Sequence, residues 1–352
     1  MALDTKSFSK TDYIIVRSLS DSPKKYWDIL FESFDSASNT INSLKKLLNI
    51  GIIAYENNHF FLNKKNDNET IINQLIKIPY KQVRCSHCKG SGFEINSFAN
   101  IIKDFEDLIK DRPPAIPEFD QGVVNIETIL NRINFIYYKG DLENKNIVII
   151  GDDDLTSLAL AITKLPNKIL VLEADKRLVE YINQKARDLK IENLEAIEYN
   201  VEWKVDKTYR NSFDVFLTDP VETVQGISLF ISRGCSMLKE NGVVYFGMTH
   251  LEASNKKWYK IHKNLYEMNF VITDILDKFQ LYELNPDDIV SKGYRVFTEM
   301  KIDLPKPDKP WYNSAFHRLE LVDKPNPLFD PDKEYKLERE LYYDDEAFVT
   351  LY

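Results

Sequence analysis

Cysteine, glycine-rich loops and positive charge are all in short supply in this chain. Only Cys85, Cys88 and Cys235 occur in 352 residues, and an odd, sparse set excludes a disulfide framework. No apolar run is long enough to cross a bilayer, and the N-terminus lacks the apolar stretch of a signal peptide. The sequence therefore reads as cytoplasmic, with no membrane partner. Lys and Arg total 46 against 55 Asp and Glu, a formal net charge of -9. That deficit argues against general nucleic-acid binding, which rewards a basic face, and suits a cationic ligand. The length suggests two or three domains with a sizeable core.

Apolar residues, among them Trp27, Ile29, Leu30, Ile41, Leu44 and Leu47, recur at helical spacing in the first part of the chain. Two short apolar runs, 52–55 and 59–62, then flank Glu56, Asn57 and Asn58, which is a hairpin signal. Helices followed by a hairpin predict a winged-helix-like N-terminal domain over 1–78. Its nearly balanced charge favours a docking or dimerisation module over a DNA reader, and a homodimer is expected. Residues 79–119 form a CxxC-containing segment and a linker. Cys85, His87 and Cys88 resemble half of a zinc knuckle, but a structural zinc needs four ligands and no second CxxC follows. A tight turn is the favoured reading and no metal is expected. The proline-rich run 111–117 breaks regular structure.

From residue 120 to 300 the pattern is α/β. Strands are expected at 147–150, 168–172, 194–199, 213–218 and 242–248, with helices at 155–164, 176–189 and 227–238. Apolar strands alternating with helices predict a Rossmann-like parallel sheet covered on both faces. Ligands in such sheets bind beyond the carboxyl ends of the strands. Asp152, Asp153, Asp154, Glu173, Asp175, Asn200, Asp219 and Thr249 all fall at such ends. After residue 300 the chain is rich in proline and charge and reads as a partly flexible C-terminal arm.

The first strand ends in Gly151-Asp152-Asp153-Asp154, where a nucleotide-binding sheet keeps its phosphate loop. Three carboxylates there repel a pyrophosphate, which excludes NAD and NADP. S-adenosylmethionine has no phosphate, but its amino-acid carboxylate suits this loop no better. Without that carboxylate the donor is cationic throughout, a sulfonium with a propylammonium tail, and the aspartates fit it. One aspartate is expected to cap the following helix, which leaves two to explain. Glu173 and Asp175 stand where an acid bridges ribose hydroxyls. After the fourth strand, Asp219 and Pro220 resemble the loop with which amine methyltransferases orient a nucleophilic nitrogen. Glu222, Thr223 and Glu252 add groups for a polyamine acceptor, and His250 is a candidate general base.

Taken together, "GDDDLTSLALA", "DPVET", "THLEASNKKWY" and C-x-x-C-x-G-x-G resemble the branched-chain polyamine synthase family. The resemblance implies transfer of an aminopropyl group from decarboxylated S-adenosylmethionine, a co-substrate, to the internal secondary amine of spermidine, with no further cofactor. It implies that Asp152, Asp153 and Asp154 lie between donor tail and acceptor. Gly151, Glu173, Asp175 and Asn200 would flank the donor, and Asp219, Glu222, Thr223, Glu252 and His250 the acceptor. Among Asp152, Asp153, Asp154 and Asp219, Asp153 is singled out as the base. The family pattern is not matched throughout. Val221 replaces a second proline, Glu173-Ala174-Asp175 replaces D-x-D, and Asn200 stands where an aspartate is frequent. Whether one or two groups are added stays open. The alternatives are an S-adenosylmethionine-dependent amine methyltransferase and a polyamine-responsive winged-helix regulator.

Overall fold

The computed structural model describes residues 8–65, 68–76, 98–116 and 119–351. Cys85, His87 and Cys88 lie outside them. At the N-terminus, helices α1 (Lys10–Asp21), α2 (Tyr26–Glu32) and α3 (Ala37–Asn49) precede strands β1 (Ile53–Glu56) and β2 (His59–Leu62). The two strands pair antiparallel, and Asn57 and Asn58 turn the hairpin with positive φ of 51° and 64°. Asparagine tolerates this left-handed region better than most residues. Helix α4 (Asn68–Leu75) follows.

The second body is built on helices α5 (Ile102–Leu108) and α6 (Ile126–Tyr138) and a seven-stranded sheet. Its parallel strands are β3 (Asn146–Ile150), β4 (Lys168–Glu173), β5 (Leu194–Glu198), β6 (Phe213–Thr218) and β7 (Leu238–Met248). Helices α7 (Thr156–Ile162), α8 (Lys176–Asp188) and α9 (Val224–Met237) connect them, and α10 (Asn255–Glu267) leads to β8 (Phe270–Leu281). Next come α11 (Pro286–Ser291), α12 (Arg295–Thr298), β9 (Asn313–Leu321) and α13 (Glu338–Tyr342). The spatial order is β5-β4-β3-β6-β7-β9-β8.

Successive residues of β3 feed opposite faces, as the pleat requires. Ile147 and Ile149 join the core with α6, α7 and α8, whereas Val148 and Ile150 pack with α9 and α10. The chain direction of the connections switches between β3 and β6, which opens a crevice at their carboxyl ends. Asp152–Asp154 follow β3 and Asp219 follows β6.

The chain after residue 300 is not an arm. β9 is an internal strand, antiparallel to both β7 and β8, and Trp311 is buried against Trp27 of the N-terminal helices. The expected boundary at 300 therefore cuts through the sheet. The helices and hairpin are tied to the same body: Trp27 Nε1 donates to the Pro305 carbonyl and Tyr26 OH to that of Val296. No helix among the described residues is long and apolar enough to cross a membrane.

Candidate active site

The three aspartates after β3 have three different fates. Gly151 turns the chain with φ +74°, a conformation glycine adopts freely. Asp152 is buried and turns inward: its carboxylate accepts the Ser157 amide at 3.2 Å and so caps the first turn of α7. Its own N–H donates to Glu173 Oε2 at 2.7 Å. Burial, reinforced by the charges of Glu173 and Asp154 and opposed by Ser157, pushes the Asp152 carboxyl up to about 7. Asp154 is spent on structure as well. Its Oδ1 accepts the Val124 amide at 2.7 Å and its Oδ2 the Arg132 guanidinium at 2.7 Å. Only Asp153 faces the main cavity, where Oδ2 accepts the Gly122 amide at 3.0 Å. Burial raises its carboxyl well above the ordinary range, and Asp154, Glu173 and Asp219 push the same way.

Across the crevice, Asp219 Oδ2 accepts from Arg132 Nη2 and Tyr282 OH, each at 2.8 Å. Gly247 of β7 makes room for it: a Cβ there would stand 2.1 Å from Asp219 Oδ1. Burial raises the Asp219 carboxyl despite Arg132. Glu222 lies three residues on and is raised well above its usual range by burial and by its neighbours Glu252 and Asp120.

Glu252 is buried and locks the chain's last turn. Its Oε1 accepts the amides of Phe348, Val349 and Thr350, and its Oε2 accepts from Tyr312 OH. Lys257 anchors both loops, donating to the carbonyls of Glu252 at 2.5 Å and Glu222 at 3.0 Å, and it pairs with Asp344. Asp120 faces Glu252, and burial pushes its carboxyl up to about 7.

These groups enclose a cavity of about 380 Å³ lined by Asp120, Asp153, Asp219, Glu222 and Glu252, with Tyr282 and Tyr312 among its walls. The lysine in its lining, Lys292, is paired with Asp288. Such an arrangement holds a multiply protonated, elongated cation and presents carboxylates able to take a proton.

Several expected site residues do not reach this cavity. Glu173 accepts the amides of Asp152 and Asp175. Asp175 caps α8 through Arg177 N, pairs with the Arg177 side chain and accepts from Gln121. Asn200 closes a turn onto the Glu202 amide. These three stand at the ends of β4 and β5, beside the loop after β3, but line no part of the cavity. Thr223 lines no part of the cavity and caps α9: its Oγ1 accepts the Gly226 amide and donates to the Leu341 carbonyl. His250 lines no part of the cavity either. It stacks on Trp258 with centroids 3.9 Å apart, and burial lowers its pKa. Thr249 is buried and donates to the Asn313 carbonyl.

Sequence reasoning missed Asp120, Arg132 and Tyr282. The supposed linker is a wall of the site, since Pro114, Ala115 and Ile116 line the cavity. For Arg132 a signal was present: it sits among Ile129, Ile133 and Ile136 on the apolar face of α6, and an arginine there needs buried partners. Tyr282 and Tyr312 flank strands β8 and β9, which were not foreseen.

A family model described as the branched-chain polyamine synthase A C-terminal domain matches residues 100–349. The N(4)-bis(aminopropyl)spermidine synthase of Thermococcus kodakarensis is 34% identical over 329 residues, covering 92% of this chain and 90% of that protein. The protein of the same name from Methanocaldococcus jannaschii is 36% identical over 271 residues, 76% of this chain and 75% of its own length. The crystal structure of the Thermus thermophilus branched-chain polyamine synthase, in complex with N4-aminopropylspermidine and 5'-methylthioadenosine, superposes with a TM-score of 0.81 at 30% identity, covering 95% of this chain and 93% of that one. The chain belongs to the branched-chain polyamine synthase family.

Proposed function

We propose that this protein moves the aminopropyl group of decarboxylated S-adenosylmethionine to the internal secondary amine of spermidine. The product is N4-aminopropylspermidine and, after a second round, N4-bis(aminopropyl)spermidine, with 5'-methylthioadenosine released each time. The observation that carries this reading is the convergence of Asp120, Asp153, Asp219, Glu222 and Glu252 on one cavity of about 380 Å³. Intact S-adenosylmethionine would bring its carboxylate against these acids, which disfavours methyl transfer.

The chemistry is a displacement. The amine lone pair forms a C–N bond to the methylene beside sulfur, the C–S bond breaks, and its electrons neutralise the sulfonium. The amine must first lose a proton, because its pKa is near that of lysine, about 10. Asp153 is the proton acceptor: it faces the cavity, and its raised pKa brings it nearer to the amine's. Asp219 orients the amine, and Glu222, Asp120 and Glu252 make the acidic end that holds an outer ammonium. Gly151, Glu173, Asp175 and Asn200 mark the donor side at the ends of β3, β4 and β5. The N-terminal helices and hairpin serve as a winged-helix-like docking module of a cytoplasmic homodimer, and light scattering of the full chain tests that state. No nucleic acid or membrane partner enters this reading.

The test is mass spectrometry of spermidine incubated with either donor. Gain of one and then two aminopropyl units, with methylthioadenosine released only from the decarboxylated donor and the middle nitrogen modified, supports the assignment. Methyl gain from intact S-adenosylmethionine, or modification of a terminal nitrogen, overturns it.

A further inference from the structure

Resting on the aminopropyl-transfer reading, we infer that Arg132 is a positioning residue for the reaction, acting through Asp219 and Asp154 to keep Asp219 a carboxylate aimed at the acceptor amine. Arg132 does not line the main cavity. It is 5% exposed, and its guanidinium ties α6 to three other segments. Nε donates to Gln280 Oε1 of β8 at 2.5 Å, Nη1 to Asp154 Oδ2 at 2.7 Å, and Nη2 to Asp219 Oδ2 at 2.8 Å. A planar, rigid donor fork can do this; a lysine ammonium cannot reach all three in one geometry.

The consequence for Asp219 is geometric and electrostatic. Arg132 and Tyr282 OH both donate to Oδ2. Oδ1 lies beside Gly247 and takes neither of these two bonds. The groups facing Asp219 are Arg132 from α6, Tyr282 from beyond β8, Asp154 and Asp153 from the loop after β3, and Glu222 from its own loop. Arg132 is the cation of that set. Burial and Asp154 push Asp219 towards the protonated form, and Arg132 opposes them. Without the guanidinium, burial and Asp154 push the Asp219 carboxyl higher still, and its hold on an ammonium weakens.

The experiment compares full-length wild type with Arg132→Gln, Arg132→Lys and the double variant Arg132→Gln/Asp154→Asn. The double variant removes Arg132 together with Asp154, one of its two carboxylate partners, so that Asp219 alone loses its cation. Two readouts are taken across pH: kcat/KM for spermidine, and spermidine affinity by calorimetry. The acid limb of both is expected to move upward in Arg132→Gln and in the double variant, with a loss of about tenfold or more at neutral pH that is recovered at alkaline pH. Arg132→Lys, which keeps the charge, retains a limb close to that of wild type. A limb that stays in place while activity falls uniformly across pH makes Arg132 a structural clamp only and overturns the inference. Calorimetry needs no turnover. A wild type that binds spermidine but transfers nothing defeats the functional reading while leaving the Arg132 comparison readable.

Discussion

Lys257 Nζ donates to the Glu252 carbonyl at 2.5 Å, and the same ammonium reaches the Glu222 carbonyl at 3.0 Å. One buried lysine thus sets the backbone of two loops whose carboxylates line the cavity, and through Asp344 it also holds the chain's end. Replacement Lys257→Met leaves two carbonyls without their donor. The expected cost is about 1–3 kcal/mol of stability for each group left unsatisfied in the interior. The loops are also freed, so KM for spermidine rises several-fold while KM for the donor changes little. Denaturant unfolding and steady-state kinetics check both parts.

The unequal fates of the aspartates after β3 predict unequal mutants. Asp153→Asn removes the proposed proton acceptor, and kcat is expected to fall by about 10²–10⁴, with little loss of stability because Asn keeps an oxygen for the Gly122 amide. Asp152→Asn keeps an oxygen for the Ser157 amide and should leave kcat near wild type. Asp152→Ala loses that cap, at about 1 kcal/mol. Equal damage to kcat from Asp152→Asn and Asp153→Asn would contradict this division of labour.

Strands β3, β4 and β6 were legible because each is a mainly apolar run whose burial on both faces needs no knowledge of its partner, whereas β5, "LEAIE", shows the alternation of a strand with one exposed face. Of the apolar runs, β4, "KILVLE", is the clearest example. The carboxylates were legible for a related reason: they sit at the carboxyl ends of those strands, so locating the strands located them. β8 and β9 were not legible. β8 is an edge strand that alternates exposed and half-buried residues, with Asp274, Asp277 and Lys278 within it. β9 buries His317 and Arg318, residues that read as surface. Arg318 is tolerated there because Asp141, from the far side of α6, pairs with it at 2.8 Å. Such pairings join residues remote in sequence, and periodicity does not see them. The same holds for Thr223, Asp175 and Asp152. Their residue types suit both capping and binding, and the fold uses them as caps.

Asp120 supplies a pH test of the empty cavity. Its carboxyl is raised from 3.8 to about 7, so in the acid range the folded chain binds a proton that the unfolded chain has released. By linkage, stability is full below the unfolded pKa and is lost as pH rises through the folded one. Most of that loss falls between the two pKa values, and thermal unfolding of the ligand-free protein is expected to show its last part as a falling Tm from about pH 6.5 to about pH 8, above the ordinary histidine range. Asp120→Asn should reduce that fall, and spermidine should offset it in wild type by supplying the missing positive charge. A Tm that rises over this interval in the ligand-free protein would show that the cavity acids are not held protonated.

His317 acts in the opposite sense over an overlapping, slightly more acid interval. It lies within β9, stacked on Phe246 with centroids 4.6 Å apart, and burial pushes its pKa down to about 3. Between that value and the ordinary histidine pKa of about 6.5, the unfolded chain binds the proton and the folded chain does not. Stability attributable to His317 is therefore complete above the ordinary value and is lost as pH falls towards the depressed one. His262, with its ring centroid 5.7 Å away, is lowered by burial as well and steepens the same limb. His317→Phe removes the titrating group while keeping an aromatic ring against Phe246. Its Tm should change less than that of wild type between about pH 6.5 and about pH 4.5, while the fall on the alkaline side set by Asp120 stays as it was. Parallel curves for the two proteins in acid would mean that His317 is not kept neutral by its burial.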